Sequence, residues 1–158
     1  MKPRRAPLLI LLPCAIAAGV LPPWPALAKA PFKGPVTARV ISVRDGDTFL
    51  ADAEIWPGQY LRVNIRIRGI DAPEMKARCA TERRAALRAR DLLADLVAQS
   101  TVSISNIGGA KYYGRVLADV DMQDGRAVAA LLLESDVVRP YGGGRRLAWC
   151  PAAGVPDP

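Results

Sequence analysis

Residues Tyr60 to Ile67 alternate without a break, with Leu61, Val63, Ile65 and Ile67 on one side and Arg62, Asn64, Arg66 and then Arg68 on the other. Side chains in a strand project to opposite faces in turn, so this run is expected as a half-buried strand with an aliphatic inner face. Val36 to Val43 and Thr48 to Ala53 are further β-prone runs, and the Asp-Gly step in Arg44-Asp45-Gly46-Asp47 between them favours a tight hairpin turn. Thr81 to Ala98 instead places Ala85, Ala89, Leu92, Leu93 and Leu96 at helical spacing, as an amphipathic helix does. Thr101 to Ile107 and Val116 to Met122 alternate again, Arg126 to Glu134 is rich in helix formers, and Val137 to Arg139 is expected to return to the sheet. The strands are too short and too close together to be the alternating units of a parallel sheet. The order predicts a small antiparallel β-barrel with helices, an α+β fold.

The N-terminus is of another kind. Lys2, Arg4 and Arg5 precede an apolar run from Leu8 to Leu21, and Ala26-Leu27-Ala28 has the small-x-small form of a signal-peptidase site. The run is shorter than the ~20 residues of a spanning helix and is interrupted by Pro13, so residues 1–28 are expected as a signal peptide and the product as exported, periplasmic or extracellular, with no membrane attachment after cleavage. Residues 29–35 are read as a leader, 36–150 as the domain and 151–158 as a flexible tail. Cleavage removes three basic residues and no acidic ones, leaving 19 Lys and Arg against 15 Asp and Glu, a formal charge of +4. That excess suits a polyanionic substrate and equally a merely solvated surface. Cys79 and Cys150 are the cysteines left. In an oxidising compartment an even pair reads as a disulfide, worth roughly 4 kcal/mol for so long a loop in the chain-entropy model.

The chain contains no histidine, which excludes Ser-His-Asp and Cys-His nucleophile systems and His-ligated zinc, and leaves carboxylates, arginines and metal as the means of hydrolysis. Carboxylates fall in two short motifs, Asp45-Gly46-Asp47-Thr48 and Asp71-Ala72-Pro73-Glu74, with Arg66 upstream of the second and Arg115 closing Lys111-Tyr112-Tyr113-Gly114-Arg115. Taken singly, each motif is ordinary turn chemistry, and an arginine on the polar face of a strand is ordinarily solvated. Together they have another meaning. Acidic pairs suit a hard divalent cation with oxygen ligands, arginine forks suit phosphate oxygens, and Glu74, stiffened by Pro73, is placed to orient or deprotonate water.

Arg66-Ile-Arg-Gly-Ile-Asp71-Ala-Pro-Glu74, preceded by Asp45-Gly-Asp47-Thr48 and followed by Tyr113-Gly114-Arg115, resembles the staphylococcal-nuclease-like (thermonuclease) family over about Val36 to Arg139. The resemblance implies a five-stranded OB-fold barrel and a Ca²⁺-dependent endonuclease that hydrolyses DNA and/or RNA to 3′-phosphate products; Mg²⁺ or Mn²⁺ also fits oxygen-only ligation. Carried over by position, Asp47 and Asp71 would bind the metal through carboxylates and Ala72 through its carbonyl. Arg66, Glu74 and Arg115 would be catalytic, and Lys111 and Tyr113 would bind substrate. Ala72 stands where the type protein has threonine, and Tyr112 where lysine commonly precedes Tyr-Gly-Arg. The type protein continues into another helix where this chain ends, so a Cys79–Cys150 bridge with Trp149 beside it is expected to anchor the tail. Tyr141 offers a further stacking surface. Nucleic acid is the implied partner, with the protein a monomer that needs no stable protein partner; the alternative is a non-catalytic binding or scaffold module on the same barrel.

Overall fold

A computed structural model describes residues 30–98, 100–110 and 112–150. The expected signal peptide, Lys29 of the leader, Lys111 and the 151–158 tail thus lie outside the described residues. Strands β1 (Val36–Asp45), β2 (Thr48–Trp56) and β3 (Gln59–Ile67) are followed by the two-residue β4 (Ile70–Asp71), helix α1 (Ala80–Val97), β5 (Thr101–Gly109), β6 (Arg115–Asp121), helix α2 (Val128–Glu134) and the two-residue β7 (Arg139–Pro140). Five strands close into a barrel in the order β1-β2-β3-β6-β5.

The barrel corrects one expectation, that of a wholly antiparallel sheet. β3 and β6 pair in parallel, with Asn64 opposite Arg115 and Ile67 opposite Ala118. Parallel neighbours need a long crossover, which β4, α1 and β5 supply. Register shifts in β1, between Val40 and Ser42 and between Val43 and Asp45, and in β5 between Ser105 and Gly108, mark the bulges that let so small a sheet curl on itself. Inside lie Phe49, Ile65, Ile67, Val102, Ile104 and Val120, all nearly inaccessible to water.

Leu61 was expected on the core face with Val63, Ile65 and Ile67, but it is 51% exposed. It pairs with Ala53 in a part of β3 that lies before β6 begins its pairing at Asn64, so no third strand covers it. Val137 to Arg139 also departs from expectation. The last of these residues enters β7, which pairs with β4 outside the barrel, Ile70 opposite Pro140 and Asp71 opposite Arg139. In α1 the buried positions are Glu82, Ala86, Ala89, Leu93 and Val97, so Ala86 rather than Ala85 lies in the stripe. Alanine at both positions gives the spacing no means of choosing between them. The phase is set at the ends, by Val97 in the core and by Glu82.

Glu82 anchors the start of α1. Cys79 is the N-cap, its sulfur accepting the Glu82 amide at 3.4 Å, while the Glu82 carboxylate reaches back to accept the amides of Arg78 at 3.0 Å and Glu74 at 3.4 Å. This satisfies donors that a helix start leaves open and fixes the segment after Asp71. Cys79 is bonded to Cys150, so the chain's end is fastened to the same point.

The helix and the first acidic turn touch through Gly46. A Cβ on Gly46 would lie 2.5 Å from the Ala89 Cβ and 2.9 Å from the Ala72 Cβ, so the glycine is required for close approach. Gly46→Ala is expected to destabilise by about 1–3 kcal/mol through overpacking, read as a lower denaturation midpoint with an unchanged slope. Cys150→Ser is expected to lower the melting temperature of the oxidised protein, through loss of a constraint worth roughly 2–4 kcal/mol; equal melting temperatures would show that the bridge does not anchor the tail.

Candidate active site

Asp47 follows Gly46 in the β1–β2 turn, and the turn is held by the Asp45 carboxylate, which accepts the Asp47 amide at 3.1 Å. Asp45 is thus a turn-forming acid at the edge of the cleft. The Asp47 side chain is buried, and each of its oxygens has a donor: the Thr48 hydroxyl donates to Oδ1 at 2.8 Å, and the Ala72 amide donates to Oδ2 at 3.0 Å. The Arg66 guanidinium lies 2.7 Å from the same Oδ2. These contacts join the turn, the end of β3 and the segment after β4.

Arg66 lies on the polar face of β3, where an arginine taken singly is ordinarily solvated. Its side chain is only 13% exposed, because β4 and the Asp47 turn close over it. It donates to the Ile70 carbonyl at 2.9 Å and the Ile67 carbonyl at 3.3 Å, and stands 3.9 Å from Asp71 Oδ1. Asp71 is buried at the end of β4 in the two-stranded β4–β7 sheet, and its Oδ1 accepts no well-aligned hydrogen bond. Glu74 lies beyond Pro73 with its side chain 56% exposed at the mouth.

Arg115 opens β6 just after Gly114, whose φ of 76° suits glycine at the bend. Among the described residues no carboxylate forms an ion pair with Arg115; its guanidinium lies 5.4 Å from the centroid of the Tyr112 ring. Asp45, Asp47, Thr48, Arg66, Ala72, Glu74, Tyr112, Arg115 and Tyr141 all line one cleft of about 360 Å³. The cleft therefore gathers Asp47, Ala72 and all three predicted catalytic residues, while Asp71 is buried outside its lining, 3.9 Å from Arg66. Tyr113 is fully exposed and outside the cleft lining, where Tyr112 stands instead.

Sequence reasoning missed Arg146. Its guanidinium spans the acidic cluster, with Nε against Asp71 Oδ1, Nη1 against Glu74 Oε1 and Nη2 3.8 Å from Asp47 Oδ2. The signal was present in the cysteines: a bridge from Cys150 to Cys79 brings residues just before Cys150 beside those just before Cys79, and Glu74 is among them. Trp149 was expected to pack beside the bridge. It also donates from Nε1 to Asp71 Oδ2 at 3.3 Å, while Arg139 stacks on its ring at 3.7 Å. Burial lowers the Arg146 pKa, but the attraction of Asp71, Glu74 and Asp47 outweighs it and raises the pKa above its ordinary value.

The Cys79 and Cys150 sulfurs and a Glu82 oxygen also lie within 4.8 Å of one another, a spacing that suits metal ligation. The sulfurs are joined as a disulfide, which lacks the thiolates such a site needs.

Burial pushes the Asp47 carboxyl up to about 7; Arg66 opposes that rise and Asp45 adds to it. The folded state therefore holds a proton on Asp47 that the unfolded state gives up near 3.8, and this contribution to stability is lost as pH climbs from about 4 through 7. In chelator-treated protein, thermal melts between pH 4 and 9 are expected to show this decline in the wild type and a flatter profile in Asp47→Asn. Parallel profiles would mean that Asp47 titrates normally.

Residues 64–141 match the family model described as staphylococcal nuclease homologue. The match spans Arg66, Asp71, Glu74 and Arg115, while Asp47 and Arg146 lie on either side of it. No curated protein matches the chain.

Proposed function

Because the chain carries a staphylococcal nuclease homologue domain, a nuclease-like unit with a closed five-stranded barrel, we propose that it is an exported, Ca²⁺-dependent endonuclease that hydrolyses DNA and/or RNA to 3′-phosphate products. The observation that carries this reading is the convergence of Asp47, Glu74, Arg66 and Arg115 on one cleft, with the buried Asp71 carboxylate 3.9 Å from Arg66. Export rests on the signal-peptide pattern of the first 28 residues.

The residues fit a hard divalent ion. Asp71 Oδ1 is buried and accepts no well-aligned hydrogen bond, its charge met among the described residues only by the Arg146 and Arg66 guanidinium groups, the Asp47 carboxylate lies on the other side of Arg66, and the available ligand atoms are oxygens. Asp47 and Asp71, with the Ala72 carbonyl, would hold the ion. When bound, it supplies Lewis-acid polarisation of a phosphate oxygen. Oxygen ligation suits Ca²⁺, Mg²⁺ and Mn²⁺, and Ca²⁺ is chosen from the resemblance to the family.

The chain's own side chains divide the remaining work. Arg66, fixed by two backbone carbonyls, presents positive charge at the base of the cleft, and Arg115 faces it from the neighbouring parallel strand. Between them they can hold a phosphodiester and neutralise charge growing on its oxygens. Glu74, at the solvent edge, takes a proton from water and directs it in line with the departing 5′ oxygen. Tyr112 and Tyr113 offer rings to bases, which suits substrates of mixed sequence.

Incubation with single-stranded DNA and with RNA is expected to give cleavage in Ca²⁺ and none in chelator. Arg66→Ala, Arg115→Ala and Glu74→Ala, each folded by circular dichroism, are expected to lose about 10²–10³ in kcat or more. Nucleic-acid binding without cleavage in any divalent ion would instead identify a binding module.

A further inference from the structure

The acidic cluster already has a cation of its own. Arg146 touches Asp71 and Glu74 and approaches Asp47, so it contacts both carboxylates assigned above to the metal. Its position is built by several independent features. β7 pairs with β4 and so delivers the tail beside Asp71, and the Tyr141 amide adds a bond to the Gly69 carbonyl at 2.8 Å. Gly142, Gly143 and Gly144 then turn the chain back, the last two at φ of 105° and 88°, values that side chains rarely adopt. Trp149 and the disulfide fasten the far side.

A guanidinium and a divalent ion cannot both lie against Asp71 Oδ1 and Asp47 Oδ2 without strong mutual repulsion. We propose that Arg146 is an internal competitor for the divalent cation, which binds by displacing this guanidinium from Asp47 and Asp71. This rests on the metal reading given above and deepens it. Arg146 stabilises the metal-free cluster and thereby weakens metal affinity. Its side chain, 39% exposed on a glycine-rich segment, has solvent into which it can withdraw.

The test is calorimetric titration of Ca²⁺ into the oxidised, chelator-stripped mature protein, comparing wild type with Arg146→Ala, or Arg146→Gln should the alanine variant not fold. The variant is expected to bind Ca²⁺ about three- to tenfold more tightly, the scale of one partly exposed charge pair. It is also expected to melt lower than wild type in chelator and to gain more from saturating Ca²⁺. Equal or weaker Ca²⁺ binding by the variant would overturn the competition and leave the metal site standing. No binding of Ca²⁺, Mg²⁺ or Mn²⁺ by either protein, or binding that survives Asp47→Asn with Asp71→Asn, would overturn both.

Discussion

The contact between Asp47 and Arg66 is the point to which the separate parts of this domain are tied. A buried carboxylate is unfavourable unless its charge is balanced and its oxygens accept hydrogen bonds, and Asp47 draws its partners from three segments: Thr48 in the β1–β2 hairpin, the Ala72 amide after β4, and Arg66 at the end of β3, whose charge offsets burial only in part. Arg66 in turn occupies the carbonyls of Ile67 and Ile70. Moving any one segment leaves a polar group unsatisfied in another. The cleft is therefore firm at its base, where Asp47 and Arg66 lie, and open at its rim, where Glu74 is exposed.

The barrel sets the spacing of the two arginines. β3 and β6 run side by side in the same direction, and Arg66 is opposite Leu117, two residues beyond Arg115. Both arginines thus come from neighbouring strands of one closed sheet, a stiff mounting for groups that must match the spread of phosphate oxygens. Glu74 is placed differently. It is set by Pro73, by the amide that it donates to Glu82, and so by the first turn of α1. Helix and barrel meet at Gly46, where the absence of a side chain lets the acidic turn lie against Ala89.

Much of this was legible in the sequence because it depends on local pattern. Alternation marked β3, the Asp-Gly step marked the hairpin, and the order of the acidic and Tyr-Gly-Arg motifs suggested one cleft. What was hidden depends on partners distant in the chain. Leu61 has the same pattern as Val63, but it lies beyond the reach of β6. Ala85 and Ala86 are chemically alike, so the rotation of α1 was left to its ends. Arg66 sits on the polar side of its strand and is nevertheless enclosed, since a polar face can be covered when acids are what cover it. Arg146 was hidden most fully, because its place follows from a two-residue strand pairing, a glycine turn and a disulfide acting together.

That disulfide also changes the connectivity of the molecule. Through it, the covalent path from Cys79 to Cys150 closes into a ring that contains α1, β5, β6, α2 and β7, with the first four strands as an arm leading in. The arm carries Asp47, Arg66, Asp71 and Glu74, and the ring carries Arg115 and Arg146. A single backbone cut in the exposed turn at Asp124-Gly125 opens the ring but sheds neither piece, so the halves of the cleft stay joined after a protease has nicked the chain.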